Sequence, residues 1–183
     1  MKNLLFFLIL IAFHFQINAQ KPTVIYLVRH AEKVTTDSNN KDPLLTEKGQ
    51  KRALDLAKKL KKQKLSAIYC TDYQRIKLTA QPIADKRNIA IQIYDPKNLK
   101  VFAEKVLLDN KGKKVLIVGH SNTVLETIEA LGGKRPISTI LDNEYNYFFT
   151  VKISVEGLVE VDLARFGEVN EALGAGESMK FKQ

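Results

Sequence analysis

The chain has 183 residues, with 29 Lys and Arg against 20 Asp and Glu, a formal charge of +9 and a single cysteine. One cysteine excludes both a disulfide framework and a Cys-rich zinc site. The basic excess favours anionic partners, but much of it lies in runs such as Lys58-Lys59 and Lys61-Lys62, which read as a solvated helix face. No aromatics are interleaved there, so nucleic-acid binding is set aside.

In chain order, Lys2 and the apolar run Leu4 to Phe15 form a stretch too short to span a bilayer comfortably, and Ile17-Asn18-Ala19 offers a small residue for cleavage. Residues 1–19 are therefore expected to be a signal peptide, with an uncleaved anchor as the competing reading. Cleavage would leave an exported protein, periplasmic or secreted, with no stable membrane insertion. Residues 20–173 are expected to form one domain, and 174–183 a polar tail.

Thr23 to Val28 is a buried-type strand, followed by a polar loop over Thr35 to Asp42. Thr46 opens an amphipathic helix with Ala53, Leu54, Leu56, Ala57 and Leu60 on one side. Leu65 to Cys70 is a second strand, and Cys70 at its end is expected to be a small core residue. Thr71-Asp72 is expected to cap a helix through Arg75, Leu78 and Ile83, interrupted at Pro82 and ended near Asn88. Ile89 to Tyr94 alternates as a strand, Pro96 starts a helix through Leu108, and Asn110-Lys111-Gly112 turns into the strand Lys114 to Val118. A helix over Asn122 to Leu131 ends at Gly132-Gly133. Asn146 to Ser154 and Leu158 to Leu163 read as a hairpin turning at Glu156-Gly157. The alternation predicts a three-layer α/β/α fold with a mostly parallel central sheet and a C-terminal edge hairpin.

Both histidines outside the leader fall just past strand ends. The first strand delivers Arg29-His30; the later one delivers Gly119-His120-Ser121-Asn122. Ligands in open α/β sheets sit beyond the carboxyl ends of strands. If those two strands are neighbours, His30 and His120 meet, with Arg29 beside them and Arg75 one turn into the helix after the second strand. Two guanidinium forks and two imidazoles suit a phosphate dianion. The helix opened by Ser121 and Asn122 adds backbone donors. An imidazole held neutral there can attack phosphorus covalently. Metal ligands are scarce, so no metal and no cofactor are expected.

Arg29-His30-Ala31-Glu32, Leu45-Thr46-Glu47-Lys48-Gly49, the spacing of Thr71, Arg75, Thr79 and Ala80, and Gly119-His120 occur in that order. Together they resemble the histidine phosphatase (phosphoglycerate mutase-like) superfamily, from Val24 to about Phe149. Alanine replaces the glycine of the usual Arg-His-Gly, and Ser121 after His120 removes the histidine-aspartate pair of the phytase-like branch. The resemblance implies that His30 is the phosphorylated nucleophile and that Arg29, Arg75 and His120 form the phosphate pocket. Family members often carry a proton-donating carboxylate between the second arginine and the second histidine. Asp95 or Glu104 would fill that place, Asp95 alternatively capping a helix. Glu32 is a third candidate, either in the substrate pocket or paired with Lys33 or an arginine. The segment between Arg75 and His120 is too short for a large cap domain. Small phosphomonoesters, sugar phosphates or a phosphohistidine on a protein are the expected substrates, with hydrolysis ahead of mutase chemistry. A phosphate-binding module without catalysis is the alternative from another class.

Overall fold

A computed structural model of the protein describes residues 21–168. The expected leader and the tail at 174–183 lie outside the described residues. The central sheet has six strands in the order β3-β2-β4-β1-β5-β6, where β1 is Thr23–Arg29, β2 Leu65–Cys70, β3 Ile91–Ile93, β4 Lys114–Gly119, β5 Tyr147–Ile153 and β6 Val159–Arg165. The first four are parallel; β5 and β6 are antiparallel and close one edge as a hairpin. This is the α/β architecture the alternation predicts.

β1 and β4 lie at the centre and are apolar along nearly their whole length, as strands covered on both faces must be. Their side chains divide with a period of two. Ile25, Leu27, Val115 and Ile117 enter one core with helices α3 (Leu99–Asp109) and α4 (Ser121–Ala130). Tyr26, Val28, Leu116 and Val118 enter the other with α1 (Glu47–Lys59) and α2 (Gln74–Arg87). No helix among the described residues is long and apolar enough to cross a membrane.

Several local expectations change. Leu54 is 61% exposed; the buried stripe of α1 is Gly49, Arg52, Ala53, Leu56 and Ala57, at helical spacing. Arg52 occupies a core-facing position because it has a carboxylate partner there, Glu32. Pro82 lies inside α2 without interrupting it. Only the bond to the Leu78 carbonyl is forfeited, and Leu78 sits on a half-exposed side of the helix. Thr71-Asp72 does not cap α2. Its N-cap is Tyr73, and the acceptor for the Gln74 N–H is Asp42 Oδ1 at 2.9 Å, from the loop before α1. α3 starts at Leu99 rather than Pro96, capped by Asn98 Oδ1 on the Val101 N–H. β3 has three residues rather than six.

The loop between β1 and α1 folds back on itself through the Lys33–Leu45 bridge and a bond from Val34 N to Leu44 O. α1 then seats against the end of β1: Thr46 N donates to Glu32 O, and Thr46 Oγ1 caps the helix by accepting from Gly49 N at 3.0 Å. Gly49 is glycine for reasons of space, since a Cβ there would stand 2.2 Å from the Glu32 carbonyl oxygen. Backbone cannot move aside as a flexible side chain can. Gly49→Ala is expected to cost about 2 kcal/mol or more in stability, read by urea denaturation; a midpoint equal to that of the wild type would mean that α1 is not clamped to Glu32.

Candidate active site

The site is built by register. β1 and β4 pair with Arg29 opposite Gly119, so the residues that follow leave the sheet side by side. The His30 N–H donates to Gly119 O at 2.9 Å, and the two imidazole centroids stand 5.8 Å apart, nearly perpendicular. β2, next to β4, ends at Cys70. Its continuation through the fully buried Thr71 puts Thr71 Oγ1 3.2 Å from His120 Nε2 and leads into α2, whose first turn carries Arg75.

His30 has a defined orientation. Its Nδ1 stands 2.8 Å from the Ala31 carbonyl oxygen. A carbonyl only accepts, so Nδ1 carries the hydrogen and Nε2 keeps its lone pair. Ala31 is itself fixed: its N–H donates to Thr79 Oγ1 at 2.9 Å, and that hydroxyl donates to the Arg75 carbonyl at 2.7 Å. Alanine at position 31 is fully buried beside Leu45 and Ala53. Burial pulls the His30 pKa down to about 3, with the charges of Arg29 and Arg75 acting in the same direction against its backbone bond. Burial, then Arg75 and Arg29, pulls His120 down to about 4. Both rings are neutral near pH 7.

The two arginines are nearly buried, at 5% and 8% exposure. Arg29 Nη1 donates to the carbonyls of Leu141, Asp142 and Glu144 at 2.7, 3.1 and 3.2 Å, and its guanidinium lies 4.3 Å from the ring centroid of Tyr145. Asp142 adds an ion pair at 3.8 Å. Arg75 is treated alike: Nη1 reaches Lys41 O at 3.4 Å and Asp42 Oδ1 at 3.5 Å, and the group lies 4.4 Å from the Tyr73 ring centroid. In each guanidinium the buried Nε has no partner. A buried donor left unpaired costs about 1–3 kcal/mol.

Other expected site residues fall elsewhere. Glu32 is not available to substrate: Arg52 Nε and Nη2 grip its carboxylate at 2.7 to 3.0 Å in a largely buried fork. This is the pairing with an arginine that the sequence left open. Asp95 is exposed beyond β3, three strands from β1, and its Oδ1 accepts from Lys97 N. Glu104 is exposed on α3. The charges acting on the two imidazoles come from Arg29, Arg75 and Lys33, with His120 also acting on His30. Among the described residues no hydrogen bond or ion pair joins Asp95 or Glu104 to Arg29, His30, Arg75 or His120. Ser121 and Asn122 form the first turn of α4 at the same strand end; Ser121 is half-buried and Asn122 exposed. Among the described residues no group of three or more His, Cys, Asp or Glu could hold a metal. Cys70 is buried, its thiol pushed up to about 12, and is inert.

Sequence reading missed Tyr73, Tyr145 and the segment around 141–145. That segment has no periodicity to mark it, and aromatic residues beside turns carry no signature of stacking on arginine.

The depressed imidazoles have a measurable consequence. Unfolded histidine titrates near 6.5, so between that value and about 4 the unfolded chain binds protons that the folded site refuses. Stability is expected to fall as pH drops through this window, with the midpoints of His30 and His120 by NMR well below 6. Midpoints near 6.5 in the free protein would show that neither ring is held neutral by its surroundings.

A family model described as the histidine phosphatase superfamily, branch 1, matches residues 25–100. The fold is similar to that of YhfR from Bacillus stearothermophilus, at 18% identity and a TM-score of 0.64, covering 76% of this chain and 95% of that one. It is also similar to the protein histidine phosphatase SixA complexed with tungstate, at 15% identity and TM-score 0.63, with 78% and 96% covered. A phosphoserine phosphatase from Entamoeba histolytica in complex with 3-phosphoglyceric acid gives 18% identity and TM-score 0.56, with 80% and 98% covered. No curated protein matches the sequence. The matched stretch, similar to the histidine phosphatase superfamily, holds the first histidine, the second arginine and their spacing, and the sheet register brings the second histidine to them.

Proposed function

We propose that the protein is a phosphatase that hydrolyses phosphate monoesters, or a phosphohistidine, through a covalent phosphohistidine on His30. The observation that carries this reading is a neutral His30, with its Nε2 lone pair free, acted on by two nearly buried guanidinium groups. The complex with tungstate, a tetrahedral oxyanion, belongs to a neighbour of the same fold and is in keeping with it.

The phosphoryl oxygens take N–H groups of the Arg29 and Arg75 guanidinium groups, which the carbonyls, carboxylates and rings around them hold in place. Nε2 of His30 then forms a bond to phosphorus as the bond to the leaving oxygen breaks. The ring becomes positively charged, and its Nδ1–H, held on the Ala31 carbonyl, keeps the tautomer and spreads that charge. In the second half, water gives a proton to His120, which has given its own to the leaving oxygen, as it attacks phosphorus; the P–N bond breaks and His30 returns to its neutral form. We assign protonation of the leaving oxygen to His120. Its low pKa in the free protein reflects burial and the charges of Arg75, Arg29 and Lys33, and a bound dianion offsets the cations. The carboxylates that reach the cradle, Asp42 and Asp142, do so through the arginines themselves.

Wild-type protein is expected to hydrolyse p-nitrophenyl phosphate with or without chelator and to yield an acid-labile phosphoenzyme when quenched. His30→Ala should lose both the label and essentially all turnover. Label retained in His30→Ala, or turnover abolished by chelation and restored by a divalent ion, would replace this mechanism by another.

Arg75→Lys should behave as a severe change, because an ammonium cannot reproduce the planar fork that the Tyr73 ring and Asp42 hold in place. A loss of roughly 2–4 kcal/mol in kcat/KM is expected. Kinetics equal to wild type would place Arg75 outside the phosphate pocket.

A further inference from the structure

The N-cap of α2 is an unusual place for tyrosine. Ser, Thr, Asp and Asn are preferred there because a short side chain can accept from the first turn. Here Tyr73 makes no side-chain cap bond, and Asp42 supplies the acceptor from another loop. A local rule broken, with its compensation built from a distant segment, marks a side chain used for something else. The Tyr73 ring lies 4.4 Å from the Arg75 guanidinium and 5.2 Å from the His120 ring, at 86° to it, and remains 37% exposed. Arg29 has a counterpart: Tyr145 lies 4.3 Å from its guanidinium and 6.0 Å from the His30 ring. Leu141, whose carbonyl accepts from Arg29, is 57% exposed. Each arginine of the cradle is therefore covered by a ring.

We propose that Tyr73, with Tyr145 on the other arginine, is a platform for the leaving group that selects phosphate monoesters of planar aromatic groups over those of flexible aliphatic alcohols. The phosphate enters between the arginines, and the group it carries extends to the outer side, where Tyr73 offers a ring with an exposed surface. A planar ring stacks or meets it edge-on; a polyol gains little from the same surface. This rests on the phosphatase reading above for the position of the phosphate.

The test is equilibrium binding of two non-hydrolysable analogues, benzylphosphonate and ethylphosphonate, by calorimetry, with kcat/KM for phenyl and ethyl phosphate measured beside it. The wild type is expected to prefer the benzyl compound by about 3- to 10-fold, the range of an aromatic pair. In Tyr73→Ser the preference should fall below about twofold, and in Tyr73→Phe it should persist. Serine is a favoured N-cap, so Tyr73→Ser should fold at least as well as the wild type. The ratio of variant effects on phenyl and ethyl phosphate cancels their intrinsic reactivities and should follow the binding. Absence of a preference in the wild type, or its persistence in Tyr73→Ser, would overturn the platform. So would an equal weakening of both analogues, which would mean that Tyr73 only steadies Arg75. A preference that depends on Tyr73 in a protein with no phosphatase turnover would support the platform and sink the reaction instead.

Discussion

Two like charges buried at one end of the sheet set the terms for everything around them. Neither guanidinium is fully compensated: Arg29 has three backbone carbonyls, the face of Tyr145 and an exposed carboxylate, and Arg75 has one carbonyl, one carboxylate and the face of Tyr73. Carbonyls and rings stabilise a cation without neutralising it, so the pocket stays positive. Burial keeps the two imidazoles unprotonated and this field adds to it, which gives the form a nucleophile requires. Burial and positive potential therefore act together on the nucleophile, and a tetrahedral dianion is the ligand that the positive pocket suits.

Holding such a pocket together calls for rigidity outside it. The relay from Ala31 N through Thr79 Oγ1 to the Arg75 carbonyl joins the residue after the nucleophile to the first turn of α2. On the other side Glu32 is gripped by Arg52 and α1 is clamped on the Glu32 carbonyl through Thr46 and Gly49. A buried fork of this kind is a weak source of net stability, but removing either partner would strand the other, so the segment after His30 has one arrangement. The sequence pattern that opens α1 therefore serves the site without touching substrate.

The sheet and its four cradle residues could be read from the chain because they obey strong local rules. Continuous apolar runs mark central strands, and histidine just past such runs marks their carboxyl ends. What escaped reading lacks such rules. Tyr73 caps its helix against preference, and its true cap acceptor, Asp42, lies more than thirty residues earlier. Glu32 could be listed as a pocket residue or as a partner of arginine, and only the packing of α1 decides for Arg52. Asp95 sits past a strand as a catalytic acid should, but β3 is the outer strand, and strand order is not written in local pattern. Leu54 shows the same limit at small scale, since one apolar residue off the stripe cannot be distinguished from its neighbours until the helix is docked.

The order of the strands also has a temporal side. β1 is the first described strand of the chain, yet its parallel partner β4 begins about 90 residues later, at Lys114, and its antiparallel partner β5 later still. Pairings of such long range close slowly, because loop entropy is lost before any contact is gained. During synthesis Thr23–Arg29 therefore waits as an unpaired apolar segment while β2, β3 and the first three helices are made, the condition under which edges join wrong partners. His30 and His120 come together only when that wait ends, so the chemistry of the cradle is a late reporter of folding.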